Sequence, residues 1–265
     1  MDIKLILSKR IESDFRLPVY AMLRQARLPL IEIDDFPLYL HDEDLPPADA
    51  YIAVAIHSLP DINKCFCVHS CGNWNAKWPR QAITDLGGKE RTLCGTSSSL
   101  FTFLYHSLRR HNTLPDFSVR IEATHHGPAI RKPILMLEIG SGPEAWQDAR
   151  ASETVFAVIQ DVLDNFRPRK QTTLLVIGGD HYMQNAEPLL TNPDIAFGHL
   201  CPSSQVPYFT REMLLQAVCL TREGVDSAAI DVAGVGQYLE PLIRLFAEQR
   251  IPYDFVHALK KTSPH

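Results

Sequence analysis

Residues 133–150 read Pro133-Ile-Leu-Met-Leu-Glu-Ile-Gly-Ser-Gly-Pro-Glu-Ala-Trp-Gln-Asp-Ala-Arg150, and the fold class turns on them. A short apolar run closed by glycine reads as a strand buried on both faces, Pro133–Gly140. Ser141 and Glu144 then stand at the spacing of a capping box, and Pro143 suits the first turn of a helix over 143–166. Arg167-Pro168 stops that helix, and a second apolar run, Thr172–Gly178, follows. Strand, helix, strand is the unit of a parallel sheet with helices on its faces.

Working outward, the same alternation extends along most of the 265 residues. Further strands are expected at Ile3–Ser8, Leu30–Ile33, Tyr51–His57, Lys64–Ser70, Ser118–His126, Asp194–His199, Ala228–Val232 and Tyr253–Ala258. Further helices are expected near 18–27, 97–111, 210–222 and 237–249. Only six residues separate His126 from Pro133, too few for a helical crossover, so those two strands should pair antiparallel. The sheet is therefore expected to be mixed and mostly parallel, flanked by helices. No repeat, low-complexity tract or composition break divides the chain, so residues 1–265 are expected to form one compact α/β domain.

Composition narrows the function. With 45% hydrophobic and 22% charged residues, a chain of this length can bury a large core without disulfides or a structural metal. Lys and Arg total 26 against 31 Asp and Glu, a net charge of −5; that speaks against a broad DNA-gripping surface. The basic clusters Arg109-Arg110, Arg131-Lys132 and Arg167–Lys170 read as solvated surface. No stretch approaches a membrane span, and the N-terminal apolar run is too short for a secretory signal. The expectation is a cytoplasmic protein whose six cysteines stay as thiols.

Six histidines fall at or beside the ends of apolar strands: His57, His69, His125, His126, His181 and His199. Beyond the carboxyl ends of parallel strands is where α/β sheets bind ligands. Imidazole both ligates metal and moves protons near neutral pH. The sharpest segment is Glu122-Ala-Thr-His-His-Gly-Pro128. Strand alternation would put Glu122, Thr124 and His126 on one face and His125 on the other. A carboxylate behind a histidine fixes its tautomer and raises its basicity.

Cys65-Phe-Cys-Val-His-Ser-Cys71 looks like a metal run, but residues two apart on a strand lie about 6.6 Å apart, too far to wrap one tetrahedral ion. Cys65 and Cys67 therefore read as inert core thiols, and His69 is the member kept as a ligand candidate. Gly178-Gly-Asp-His-Tyr182 permits close backbone approach to a ligand, yet lacks the continuation of a phosphate loop. No Gly-x-Ser-x-Gly elbow is present, which lowers the case for a serine nucleophile.

Taken in order, Val68-His69 with Gly72-Asn73, Gly87-Gly88, Ile121–Pro128, Leu137–Ser141 with Glu144 and Trp146, Gly178-Gly179-x-His181-Tyr182 and Phe197-Gly-His-Leu200 resemble one family, the archaeal and plant type of D-aminoacyl-tRNA deacylase. The resemblance implies a fold similar to phosphorylases and peptidyl-tRNA hydrolases. It also implies hydrolysis of the ester joining a D-amino acid to tRNA, as chiral proofreading in translation quality control, with zinc as cofactor and aminoacylated tRNA as partner. On it, Glu122, Thr124, His125, His126 and Glu138 are taken as catalytic. Gly178, Gly179, Tyr182 and Asn73 are taken as substrate-binding, and His69, His181 and His199 as metal ligands.

The chain departs from the family pattern at Asp180 for glycine, Asn185 for lysine, Ser203-Ser204 for Lys-Tyr, and Ile56 where arginine precedes the histidine. Fewer cations at a site weaken phosphate binding. Two alternatives accordingly stand beside the deacylase: a metal-dependent hydrolase of a smaller ester or amide, and a binding protein that keeps the pocket without turnover.

Overall fold

The computed structural model describes residues 1–59, 63–75, 77–78, 81–82 and 86–262. Its strands are β1 (Ile3–Ser8), β2 (Leu30–Ile33), β3 (Ala50–Ile56), β4 (Cys65–Ser70), β5 (Gly72–Asn73), β6 (Lys77–Trp78), β7 (Gln81–Ala82), β8 (Thr92–Leu93), β9 (Ser118–Ile121), β10 (Ile134–Gly140), β11 (Thr172–Ile177), β12 (Ile195–Cys201), β13 (Ser227–Ile230) and β14 (Tyr253–Phe255). The helices are α1 (Lys9–Phe15), α2 (Pro18–Gln25), α3 (Ser98–His111), α4 (Pro143–Trp146), α5 (Ala149–Asn165), α6 (Arg211–Cys219), α7 (Val232–Val235), α8 (Leu239–Gln249) and α9 (Val256–Thr262).

Six strands form a mixed sheet in the order β2-β1-β3-β10-β4-β9, and four form a second, wholly parallel sheet, β12-β11-β13-β14. The mixed, mostly parallel α/β architecture stands as expected, but in two main sheets, with β5-β8 and β6-β7 as small two-stranded pairs. The expected direct antiparallel pairing of 118–126 with 133–140 does not occur. β4 lies between them, antiparallel to β10 and parallel to β9. The short connection is accommodated one strand further out.

Period-2 burial explains how the layers stack. In β11, Leu174 and Val176 join the large core that includes Leu5, Val54 and Leu137 of the mixed sheet. Leu175 and Ile177 face the other way, onto Met213 and Leu214 of α6 and Leu242 and Phe246 of α8. Helix α3 packs on β4, β9 and β12 and so lies across the junction of the sheets.

Four local expectations are corrected. The Ser141–Glu144 capping box does not form: Gly142 is the N-cap of a one-turn α4, and Asp148 caps the separate helix α5 by accepting from Arg150 N. Ser141 Oγ instead accepts from Leu59 N at 3.2 Å. The strand expected over Tyr253–Ala258 gives way to helix at Val256. The strand expected to end at His199 continues to Cys201, because Val176 and Ile177 of β11 pair with Leu200 and Cys201.

The fourth correction matters most for function. β9 ends at Ile121 rather than His126. Glu122 N still bonds Val68 O, but Ala123 N turns to His181 O and Thr124 N to Leu200 O, both 2.8 Å. The chain thus leaves one sheet for the other, and strict alternation is lost. Thr124 secures the crossing: its Oγ1 lies 2.6 Å from Ser70 Oγ and accepts from Leu200 N at 2.8 Å. His126 takes a left-handed backbone, φ +43°, uncommon for a residue with a side chain. Gly127 must be glycine, since a Cβ there would come within 2.2 Å of Leu38 O and 2.3 Å of Gly88 N.

Candidate active site

One face of the mixed sheet turns polar at one end. Register places Cys67 opposite Glu138, and Cys65 opposite Gly140. Gly140 leaves the space that His57 fills; a Cβ at that glycine would stand 2.5 Å from His57 Cβ. His69 follows two residues after Cys67 on the same face. The crossing segment 122–126 folds over this face and delivers Glu122, His125 and His126, while the turn after β11 brings His181 and Tyr182.

Glu122 is fully buried and organises the cluster. Its Oε1 lies 2.9 Å from His57 Nδ1. Its Oε2 meets His181 Nε2 at 3.5 Å, His125 Nε2 at 3.7 Å and His69 Nε2 at 3.9 Å. Glu138 supports from the other side, 3.4 Å from both His57 Nδ1 and His69 Nε2. His57 Nε2 is hydrogen-bonded to the Tyr182 hydroxyl at 2.8 Å.

The protonation pattern follows from these contacts. Burial would push His57 down, but hydrogen bonds to Glu122 and Glu138 outweigh it and raise its pKa to about 11. Burial likewise opposes ionisation of Glu122, yet hydrogen bonds from His181 and His57 and the charge on His57 and His69 hold its pKa well below the usual range. Glu138 is lowered for similar reasons, its hydrogen bonds to His57 and His69 offsetting burial. His126 goes down to about 4 and His125 is held well below its ordinary value, through burial first and then the neighbouring imidazoles. At neutral pH two carboxylates are therefore ionised, and two imidazoles are held neutral.

Tautomers are fixed as well. The Nδ1 atoms of His69, His125 and His126 lie 3.1, 2.7 and 2.6 Å from the carbonyl oxygens of Ser70, Ala123 and Gly127. For His125 and His126, donating there leaves Nε2 as the lone-pair atom, the arrangement of metal-bound histidine; His69 Nε2 carries a proton toward Glu138 Oε1 at 3.4 Å and would give it up on binding a metal. His69, His125 and His126 form one group able to hold a metal ion; Glu122, His125 and His181 form another.

The cluster floors a cavity of about 620 Å³. His57, His125, His126, Glu138 and His181 line its polar end, and Ile11, Phe36, Leu38, Leu59 and Met136 its apolar walls. A second cavity, of about 430 Å³, lies beyond His181 and Ser204 and is lined by Asp180, Asn185, Ser203 and Asp231. Buried reactive groups, an apolar recess and a polar antechamber suit hydrolysis of an ester with a hydrophobic acyl part.

The cluster thus brings together Glu122, His125, His126, Glu138, His69, His181 and Tyr182 of the residues singled out from sequence. Gly178 and Gly179 shape the turn before His181, with φ of +89° and +95°, and Gly179 lines the second cavity. Asn73 is buried away from the cluster, its Nδ2 donating to Gly87 O and Lys89 O. Thr124 faces the inter-sheet seam. His199 is not brought to the cluster: because β12 runs on to Cys201, it is an interior strand residue beneath Trp74, 6.3 Å between ring centroids. Burial takes its pKa down to about 3. His57 is the residue sequence reasoning noticed as a strand-end histidine but gave no role.

Among the described residues no helix is long and apolar enough to cross a membrane. The family described as D-aminoacyl-tRNA deacylase matches residues 45–252. The D-aminoacyl-tRNA deacylase of Thermococcus kodakarensis is 32% identical over 194 residues, 73% of this chain and 68% of that protein. The enzyme of that name from Ignicoccus hospitalis is 28% identical over 80% of this chain and 82% of its own. A crystal structure titled as a conserved protein of unknown function superposes with a TM-score of 0.86 over 98% of this chain and 97% of its own. At 23% identity it shows the fold alone. The match over residues 45–252, which hold every residue of the polar cluster, means that the chain belongs to the D-aminoacyl-tRNA deacylase family, hydrolases acting on ester bonds.

Proposed function

We propose that this protein hydrolyses the ester between a D-amino acid and the terminal ribose of tRNA, releasing free D-amino acid and tRNA. The observation that carries the reading is the convergence of His57, His125, His126 and Glu138 at the floor of one apolar-walled cavity, with Glu122 and His69 fully buried against them. The walls receive the aminoacyl side chain and exclude water from all but its polar end. Glu138, ionised and lining the cavity, is the group placed to accept a proton from an attacking water. His57, which Glu122 and Glu138 hold protonated, supplies positive charge where the ester oxygen becomes negative.

The donor set fits zinc. With ligand bonds of about 2.1 Å, two donors on one tetrahedral ion stand about 3.4 Å apart, and the donor atoms of His69, His125 and His126 lie within 4.8 Å of one another. His69, His125 and His126 would hold the ion through Nε2. Such an ion would lower the pKa of bound water and polarise the ester carbonyl.

The test is release of amino acid from D-tyrosyl-tRNA, with the L-tyrosyl ester as control, before and after chelation. D-selective release that chelation abolishes and zinc restores is the expected result. No release by folded, zinc-loaded protein would overturn the reading. One observation favours the smaller-ester alternative: among the described residues no Lys or Arg lines the second cavity, where Asp180, Asn185 and Ser203 stand. Turnover of small D-amino acid esters, without salt-sensitive tRNA binding, would select it.

A further inference from the structure

Two basic runs that read in the sequence as solvated surface, Arg109-Arg110 and Arg167–Lys170, meet in the fold. Thr102, Phe103, His106 and Arg110 share one face of α3 at helical spacing. The segment from Asn165 to Gln171, which joins α5 to β11, lies against that face. Between them is a cavity of about 450 Å³ lined by Arg110, Arg167, Arg169 and His106, with Phe103 and Phe166 as its apolar side. Among the described residues no Asp or Glu lines it. In a chain of net charge −5, that is a local excess of positive charge around a concave space.

The guanidiniums are held in place. Arg167 Nη1 donates to Phe166 O at 2.7 Å, and Arg169 Nη2 donates to Pro193 O. Arg110 lies over the Phe103 ring, 5.6 Å from its centroid, and gives one N–H to Asp161 Oδ2 at 2.6 Å. Asp161 is shared with Ser107 and Asn165, which also donate to it. A guanidinium carries more N–H groups than these bonds use, and its planar fork matches phosphate oxygens. His106 registers the uncompensated charge: burial first, then Arg110, Arg169 and Arg109, hold its pKa below the ordinary value.

We propose that Arg110, Arg167 and Arg169 form a binding site for a phosphate group, remote from the histidine cluster. Gln171 and Pro193 stand just before β11 and β12, whereas His181 and Ser204 follow those strands. The six residues of β11 span about 20 Å, so the two sites lie at opposite ends of the parallel sheet. A backbone phosphate of bound tRNA, away from the reacting ester, is the source that suits the deacylase reading, and only this choice of source rests on that reading. A small phosphorylated molecule is the other source.

Two arms test the site and separate the sources, and neither reads hydrolysis, so a failed deacylase reading leaves both intact. In the first, the ring resonances of His106 are followed by NMR at about pH 6 as inorganic phosphate is added, with chloride at matched ionic strength as control. An anion seated on the arginines favours the charged imidazole. The resonances should therefore move saturably toward the protonated position with phosphate, but not with chloride and not in R167A/R169A. In the second arm, binding of uncharged tRNA is measured across a salt series. R167A/R169A should bind about tenfold more weakly, with a log–log salt slope smaller by about 1. R131A/K132A, which removes equal charge elsewhere, should bind as the wild type does. A His106 response to phosphate with unchanged tRNA binding in R167A/R169A, or with an equal loss in R131A/K132A, assigns the site to a small phosphorylated molecule. No phosphate-specific movement of His106, or a movement that survives in R167A/R169A, overturns the proposal.

Discussion

His57 and His199 are both buried histidines on sheet strands or at their ends, one in each sheet, and they end in opposite charge states. His57, beside two carboxylates of the mixed sheet, is raised to about 11. His199, in the parallel sheet under Trp74, is lowered to about 3. Burial acts in the same direction on both. The difference is made by Glu122 and Glu138, which only the mixed sheet supplies. A histidine at a strand end is therefore not by itself a catalytic signal; what decides is whether a buried carboxylate lies within hydrogen-bonding reach.

Removing that carboxylate breaks the comparison most severely. Glu122→Gln leaves His57 with Glu138 alone and takes the negative charge from His69, His125 and His181. Activity should fall by about a thousandfold, about 4 kcal/mol of transition-state stabilisation, while circular dichroism stays native. In the metal-free variant the His57 pKa, followed by NMR, should drop toward its ordinary value. Activity within tenfold of wild type would show that Glu122 does not organise the site.

The second test sharpens the comparison through pH. An unfolded His199 takes a proton near pH 6.5 but a folded one only near 3, so its contribution to stability is present above about pH 6.5 and is lost as pH falls toward 3. At pH 5 the loss is about 2 kcal/mol at about 1.4 kcal/mol per pH unit. His57 has the opposite sign: its contribution is complete below about pH 6.5 and is lost as pH rises toward 11. Urea unfolding of His199→Leu should show a difference between pH 7.5 and pH 5 about 2 kcal/mol smaller than in the wild type. An unchanged difference would mean that His199 does not stay neutral.

How much of this was legible in the sequence depends on which residues obey a single sheet. Buried strands such as Ile134–Gly140 declare themselves because both faces are apolar, and Glu138 stands out there as the one charge. The motif around Glu122 was visible, but its geometry was not. Alternation predicted Glu122 and His125 on opposite faces, whereas the crossing between sheets puts His125 Nε2 3.7 Å from Glu122 Oε2. Nothing local in the sequence says that Ala123 and Thr124 will bond to a second sheet. The same ignorance placed His199 at a strand end. His57 was seen but given no role because its partners lie 65 and 81 positions away, at Glu122 and Glu138.

The seam between the sheets offers the smallest effect. The family resemblance places Thr124 among the catalytic residues. Its hydroxyl instead joins Ser70 to Leu200 N, and its carbonyl accepts from Trp74 Nε1 at 3.0 Å. Thr124→Val keeps the side-chain shape and the backbone bonds but leaves Leu200 N buried without its acceptor, a cost of about 1–2 kcal/mol. If the mixed sheet alone positions the reactive groups, kcat for a small D-amino acid ester should change less than threefold while the urea midpoint falls. A kcat loss of a hundredfold at unchanged stability would return Thr124 to the reaction centre. A large loss of both would mean that His181, held by Ala123 N across the seam, depends on the junction for its place.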